Sequence, residues 1–188
     1  MRYFRVTVDP AIGTQWFPEE PVGEDGTVLD ARLFTSCRPF SGSGVRLRTK
    51  QDGVMLPLNF GPFDIPVARR ALAERIARLA PDDVQVVPAT TDSGEACGIV
   101  NVLTCRDCID ELASVGTRWA PGDGRPDKVG QFRMITRLVV DAGKAGGAQV
   151  LRLTGWLTPL IVSEALLSNL DRRDLAGLAL TVVTSGER

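Results

Sequence analysis

The sequence of 188 residues contains no histidine, and this absence excludes several common kinds of functional site. A Ser-His or Cys-His nucleophile pair cannot form within the chain, because the imidazole that accepts the proton is missing. Metal sites with histidine ligands are excluded for the same reason. Any catalytic or metal-binding chemistry would therefore have to use carboxylates and thiols.

The sequence also lacks a basic excess and a long apolar run. Lys and Arg total 22 against 23 Asp and Glu, which gives a formal net charge of −1. Because nucleic-acid binding depends on neutralising phosphates with cations, we expect no nucleic-acid partner. No apolar run approaches the roughly 18–20 residues of a membrane-spanning helix, and the first residues, MRYFRVTVDP, alternate like a strand rather than a signal peptide. We therefore expect a cytoplasmic protein with no membrane partner.

Four cysteines leave several interpretations open. Cys105 and Cys108 form a C-x-x-C pair, and with Cys97 and Cys37 they supply the four thiolates of a possible structural zinc module. Such a site ordinarily uses two closely spaced pairs, and only one is present. Cys97 lies in the apolar run CGIVNVLTC, where a free cysteine packs as a small hydrophobic residue. The pattern favours buried thiols over a zinc site or a redox pair, and we expect no metal and no cofactor.

Three carboxylates follow the same apolar run and suggest an enzymatic alternative. Asp107, Asp110 and Glu111, together with Cys105, are the groups that a small hydrolase or transferase could use for acid–base or nucleophilic chemistry. Nothing marks them beyond their closeness in sequence, so capping a turn at the surface is the favoured interpretation. We therefore expect that the protein is not an enzyme.

Two segments, residues 61–89 and 155–183, share the order aromatic residue, proline, short helix and strand. In the first, apolar residues from Val67 to Ala80 recur at helical spacing, which predicts a helix that starts in the Ile65-Pro66 turn and ends near Pro81. In the second, Ser163 is expected to cap a shorter helix, because its hydroxyl can accept a hydrogen bond from a free N–H group of the first turn. LALTVV then predicts the last strand.

Helix and strand patterns are mixed without regular alternation, which indicates an α+β fold. We expect one domain over residues 1–188, with a strand- and loop-rich part at 1–60 and the main core at 61–184. The core should hold a mostly antiparallel, mixed sheet with a few helices on one face, including the two similar helix–strand units. CGIVNVLTC predicts its central strand. Residues 106–116 predict a short helical turn, and residues 132–155 a hairpin joined by GKAGGA.

Charged and aromatic residues outside the predicted core are candidates for contact with a protein partner. One acidic segment, residues 16–30, contains no base and suits a basic partner. The first helix is rich in arginine, which pairs with carboxylates, and the loop at 119–130 carries a tryptophan of the kind found at binding hot spots. The alternative is that these groups are merely solvated or packed under the loop. The candidates are Glu19, Glu20, Glu24, Asp25, Arg69, Arg70 and Trp119.

Several segments resemble immunity protein family eleven of bacterial polymorphic toxin systems, long described as a domain of unknown function. The resemblance covers roughly residues 28–183, although Val67-Ala68 stands where the family often has Val-Ser. It is most specific at Asn101-Val102-Leu103, Asp107-Cys108-Ile109-Asp110 and Ile161-Val162-Ser163-Glu164. The resemblance implies a protein that binds and neutralises a cognate toxin, and it implies no catalytic residue or cofactor. A second copy of the chain is a further candidate partner.

Overall fold

Short strands make up most of the regular structure in a computed structural model, which describes residues 1–184. The α-helices are α1, Arg70–Leu79, and α2, Glu164–Leu167. The strands are β1 Tyr3–Val8, β2 Phe17–Pro18, β3 Val22–Gly23, β4 Val45–Leu47, β5 Thr49–Gln51, β6 Leu58–Phe60, β7 Pro66–Arg69, β8 Val84–Thr91, β9 Ala96–Val102, β10 Cys105–Arg106, β11 Val115–Arg118, β12 Phe132–Arg137, β13 Val150–Leu153, β14 Trp156–Ser163 and β15 Leu178–Val182. The predicted α+β class is confirmed.

Two sheets carry most of these strands. Sheet A has the order β10-β13-β14-β1-β15, and sheet B has the order β3-β4-β8-β9-β7-β6. Within the described residues, the neighbours in both sheets are antiparallel except β10 with β13 and β4 with β8. The mostly antiparallel, mixed pairing is therefore as predicted, although it is divided between two sheets. Because β1 lies between β14 and β15, the first and the last strand are neighbours in sheet A.

Side chains that alternate along the central strands give both sheets two apolar faces. In β9, Val100 and Val102 face α1 and sheet A, whereas Cys97 and Ile99 face the opposite side. Sheet B therefore lies between sheet A and the N-terminal segment. Trp16 and other apolar residues of that segment cover the face of sheet B that points away from sheet A. The strand predicted from CGIVNVLTC is buried from Cys97 onwards, as a central strand should be.

The outer face of sheet A is covered by the segment that connects β10 to β13. Ile109, Phe132 and Leu138 of this segment pack against Leu151 and Ile161 of the sheet. The layers are thus, in order, the N-terminal segment, sheet B, sheet A and the 107–148 segment. Helix α1 packs in the core that sheets A and B share. This order makes the 107–148 segment an outer layer of the molecule.

Helix α1 packs on sheet B at a glycine. A Cβ atom at Gly98 would stand 2.8 Å from Val86 Cγ1 and 3.0 Å from Ala73 Cβ, closer than van der Waals contact allows. The absent side chain therefore permits helix and strand to approach. Leu72, Ala73 and Ile76 form the buried face of α1.

The first helix begins later than the sequence predicts. Pro66–Arg69 form β7, which pairs with β6 and β9, and α1 starts only at Arg70. Val67 and Ala68 are fully buried in this strand. Their apolar spacing fits both a helix and a strand covered on both faces, and the ladder with β9 decides in favour of the strand.

Residues 132–155 do not form the predicted hairpin. β12 pairs with β11, whereas β13 pairs with β14 and β10. The GKAGGA segment is a turn, as expected, in which Asp141 Oδ1 accepts hydrogen bonds from the N–H groups of Gly143 and Lys144. The turn sends the chain from the outer layer into sheet A instead of back along the same strand.

Two shorter segments also differ from or refine the predictions. Residues 106–116 include the end of β10, an isolated bridge from Ile109 to Val140 and the start of β11, so the predicted helical turn is limited to residues 110–114, where the N–H of Ser114 donates to the carbonyl of Asp110 at 2.8 Å. Ser163 caps α2 as predicted, because its hydroxyl accepts from the N–H of Leu166 at 3.0 Å. α2 is only four residues long, and the similarity of the two helix–strand units stays a prediction.

Candidate partner-binding surface

Strands β11 and β12 and the loop between them form a two-stranded arm, residues 115–137, which we call the flap. Phe132 and Ile135 are buried and fasten the flap to the core. All four residues of β11 are exposed. Met134 on β12 is 52% exposed, and Leu112 just before the flap is completely exposed. Large apolar side chains left in solvent at one place are typical of a contact surface.

Trp119 begins the loop of the flap and is half-buried. The Arg133 guanidinium carbon lies 4.9 Å from the centre of the Trp119 ring, and Lys128 Nζ lies 5.9 Å from it. A cation over the face of an indole is attracted by the electrons of the ring. The loop position predicted for Trp119 is therefore observed, and its ring is a platform for two cations of the flap.

A cleft separates the loop of the flap from the turn at residues 62–64 and from residues 155–158, where a turn leads into β14. The charged groups among its lining residues are four cations and a single carboxylate, that of Asp127. We call it the basic cleft and define it by Arg32, Phe63, Trp119, Arg125, Lys128 and Arg133. None of these four cations was singled out from the sequence. A signal was present, because residues 118–133 contain three arginines and one lysine together with Trp119 and Phe132.

The wall of the basic cleft opposite Trp119 also has a cation stacked on a ring. The guanidinium carbon of Arg32 lies 4.1 Å from the centre of the Phe63 ring, and Phe63 is 45% exposed. Phe63 and Asp64 have φ angles of 56° and 55°, which side chains other than glycine adopt rarely and at an energetic cost. The strained turn aims the Phe63 ring out of the core and into the cleft.

The acidic segment predicted as a contact surface is partly opposed by positive charge. Glu19 and Glu20 line a depression together with Arg48 and Lys50. The N–H group of Glu19 donates to the carbonyl of Arg48 at 2.8 Å, which holds the segment beside these cations. The field of the two carboxylates is therefore weaker than the sequence suggests. Pro62 lines the same depression, so the acidic segment and the basic cleft meet at the Pro62–Phe63 turn.

The other two acidic candidates have different positions. Glu24 is exposed, and Asp25 closes a turn by accepting hydrogen bonds from the N–H and the hydroxyl of Thr27, both at 2.9 Å. These bonds favour the charged carboxylate and hold the pKa of Asp25 below its usual value.

Arg69 and Arg70 are exposed but lie at the opposite end of β7 from the Pro62–Phe63 turn. Arg69 donates to the carbonyl of Met55 at 3.3 Å, and Arg70 pairs with Glu74 at 2.9 Å. Neither is among the residues that line the basic cleft with Trp119. The candidate residues from the sequence therefore occupy two separate parts of the surface.

The four cysteines do not form one zinc site. Cys97 packs in the core outside sheet B, and Cys108 packs in the core outside sheet A. Burial raises the pKa of each of these thiols to about 11. Residues 1–184 contain no group of three or more Cys, Asp and Glu side chains arranged to hold a metal ion. The predicted buried thiols are thus observed for Cys97 and Cys108.

Cys37, in the N-terminal segment, and Cys105, on β10 of sheet A, lie next to each other. Their thiols are joined by a hydrogen bond, which together with a weaker bond from Thr154 lowers the pKa of Cys105 to about 6. The same bond, with burial, raises the pKa of Cys37, since the proton is retained on that sulfur. Cys105 is therefore the most acidic thiol of the four.

The carboxylates of the enzymatic alternative are held in structural roles. Asp110 Oδ1 accepts hydrogen bonds from the N–H groups of Leu112 and Ala113 at 3.1 and 3.0 Å. Glu111 pairs with Arg118 at 3.0 Å, and Asp107 is exposed. This is the turn-capping arrangement that the sequence favours.

The comparisons with known proteins identify the family. Residues 70–185 match the model of an immunity protein family. The family is Imm11, and because the match covers more than half of the chain, the chain belongs to it. No curated protein matches this sequence. The matched segment begins at the first residue of α1 and contains the whole flap, whereas the acidic segment precedes it.

The helices of residues 1–184 include none that is both long enough and apolar enough to cross a bilayer. The longer of the two α-helices, α1, has ten residues and carries three arginines.

Proposed function

We propose that this chain is an immunity protein that binds a cognate toxin and neutralises it by covering a surface that the toxin needs. The family match over residues 70–185 is the observation that carries the proposal. The mechanism is complementarity of shape and charge, with no bond made or broken in the toxin. The partner is a protein; nucleic acid and membranes have no part in this function.

The proposed contact surface includes the flap, the basic cleft and the acidic segment. Supporting this choice, the flap lies within the matched residues, exposes Met134 and carries the half-buried Trp119, and both are types of side chain that anchor protein interfaces. The acidic segment adjoins the cleft at the Pro62–Phe63 turn. A partner that covers both would meet negative and positive charge side by side, which fixes its orientation.

Arg69 and Arg70 are proposed as a separate, minor contact. Arg70 is already paired with Glu74, so a partner carboxylate would compete with an existing ion pair. Exposed ion pairs of this kind contribute only about 0–1 kcal/mol. Breaking the Arg70–Glu74 pair would therefore cost little free energy, and a new pair with the partner would contribute little to the affinity.

We propose a non-enzymatic function in the cytoplasm. In support, Asp110 and Glu111 hold a turn and an ion pair, and Cys105 is hydrogen-bonded to Cys37 and Thr154. All four cysteines are free, in keeping with a compartment in which thiols stay reduced.

Co-expression with the product of the neighbouring reading frame tests the proposal. We expect that product to stop bacterial growth when expressed alone, growth to be restored by this chain, and the two proteins to elute together on gel filtration. A variant in which the flap loop 120–130 is replaced by a Gly-Ser linker tests the contact surface. It should fold but protect the cells less well than the wild type. A harmless neighbour, or one that kills equally well in the presence of this chain, contradicts the proposal.

A further inference from the structure

We propose that the basic cleft receives an acidic segment of the partner, whose carboxylates pair with Lys128 and Arg133 beside the Trp119 ring. The identity of that partner as a toxin rests on the proposed function. The preference of the cleft for carboxylates rests on its own geometry, and the two are tested separately below.

Lys128 and Arg133 have hydrogen-bond donors that the chain does not use. Within residues 1–184, neither side chain donates a hydrogen bond, and the nearest carboxylate oxygen to Arg133 is that of Asp123 at 3.9 Å. Both cations are nevertheless held in place by the Trp119 ring. A guanidinium that stacks by its flat face keeps its N–H groups free at the edge, where they can bind a carboxylate in pairs.

The other two cations of the cleft are already engaged. Arg125 pairs with Asp127 at 2.8 Å, and Arg32 pairs with Asp30 at 3.2 Å. Arg125 thereby neutralises Asp127, the carboxylate among the lining residues. Among residues 1–184, the positive charge of the cleft without a close ion pair therefore lies at Lys128 and at Arg133, whose contact with Asp123 is 3.9 Å long, although the whole chain has a net charge of −1.

The surroundings of the two cations favour a peptide over a nucleic acid. Leu157 lines the cleft and is 39% exposed, and with the Phe63 ring it offers apolar contacts to the side chains of a peptide. Asp123 lies 3.9 Å from Arg133 and would repel a continuous phosphate backbone laid across both cations. A peptide can place a single carboxylate between Lys128 and Arg133, whereas a nucleic acid presents negative charge along its whole length.

The first experiment measures the affinity of the neighbouring toxin for wild-type protein and for the double variant Lys128→Glu with Arg133→Glu. We expect the double variant to bind at least about tenfold more weakly, because charge-assisted pairs become repulsive. Arg172→Glu is the matched control, since Arg172 is exposed outside the cleft, and it should leave the affinity unchanged. Urea unfolding of all three proteins establishes that the variants fold. Equal toxin affinity of the folded double variant and the wild type overturns the proposal while the immunity function stands.

A second experiment tests the cleft without the toxin. Trp16 does not line the cleft, and Trp156 lines it but is only 8% exposed, so a change of tryptophan fluorescence on adding hexaglutamate peptide should come chiefly from Trp119, which the variant Trp119→Phe tests. We expect the change to disappear in Trp119→Phe and in the double variant, and to be retained in Arg172→Glu. Absence of a response in the wild type, an undiminished response in the double variant, or a stronger response to an oligothymidylate of equal charge overturns the proposal.

If the wild type responds to hexaglutamate but fails to bind the neighbouring toxin, the proposed toxin partner is wrong and the carboxylate preference of the cleft stands. The two failures are thereby distinguished.

Discussion

The Nη2 atom of Arg152, on β13 of sheet A, donates a hydrogen bond of 2.9 Å to the carbonyl oxygen of Asp64, in the turn that precedes β7 of sheet B. The same guanidinium donates to the carbonyls of Leu157 and Thr158. Arg152 is completely buried, and burial lowers its pKa to about 10, so it is still a cation at neutral pH. This side chain joins the two sheets and fixes the turn that carries Phe63 and the start of β14 that carries Leu157, both of which line the basic cleft.

Replacing Arg152 should therefore destabilise the protein. Arg152→Met leaves the carbonyls of Asp64, Leu157 and Thr158 without this donor, and an unsatisfied buried group costs about 1–3 kcal/mol. We expect the free energy of unfolding in urea to fall by about 3 kcal/mol. Arg172→Met, on the surface, should change it by less than about 0.5 kcal/mol. Unchanged stability of Arg152→Met would mean that the cost of burying the guanidinium equals the contribution of its hydrogen bonds.

The cap of α2 allows a smaller, local test. Ser163 accepts from the Leu166 N–H and donates to Gln149, so Ser163→Ala removes both bonds from a buried site. We expect a loss of about 1 kcal/mol in thermal or urea unfolding. Ser168→Ala, at the exposed end of the same helix, should have less than half of this effect. Equal losses for the two variants would show that the cap at Ser163 is not what stabilises α2.

Cys105 should be the most reactive thiol. Because its pKa is lowered to about 6, it is mostly thiolate at neutral pH, and the thiolate is the nucleophile. Its rate of alkylation by iodoacetamide should rise with pH through about 6 and level off above, as followed by mass spectrometry. Cys37→Ala removes the hydrogen bond that is the main cause, so the midpoint should move to higher pH. A Cys105 that reacts no faster than Cys97 at neutral pH contradicts this assignment.

The acidic segment should contribute to the association rate of the toxin complex. Glu19→Lys with Glu20→Lys reverses two exposed charges next to the basic cleft, and Asp25 is left unchanged because it closes a turn. If the toxin presents a basic face there, association measured by surface plasmon resonance should slow about tenfold at low salt and less at high salt. Asp82→Lys with Glu95→Lys changes the net charge equally at other exposed positions. Indistinguishable rates for the two double variants would remove the acidic segment from the proposed contact surface.

The sequence predicted those elements whose signals lie within a few neighbouring residues. The buried strand at CGIVNVLTC, the first strand, the cap at Ser163 and the GKAGGA turn are all observed. It placed the start of α1 too early, because the apolar spacing at Pro66–Arg69 fits a helix and a doubly covered strand equally well. It likewise paired β12 with β13, since neighbouring strands most often form hairpins.

The residues of the candidate surface were likewise predicted only in part from the sequence. Trp119 was identified from residue type and loop composition, whereas Lys128, Arg133, Arg32 and Phe63 were not. Arg133 and Lys128 reach Trp119 only because the loop turns back on itself, and Arg32 and Phe63 join them from distant parts of the chain. Arg152 was missed as well, although an arginine between Leu151 and Leu153 in an apolar strand is an unusual residue that calls for buried partners.

The sequence by itself determined that strands dominate, that no histidine chemistry is available, and which residues are apolar enough to be buried. These are properties of composition and of local alternation, and they do not depend on distant contacts. Only the tertiary structure decided which strands share a sheet, where α1 begins, and which cations stand free in a cleft. Pairing between strands and stacking between side chains depend on residues far apart in the chain, and the energy of bringing them together is decided only when the whole chain has packed.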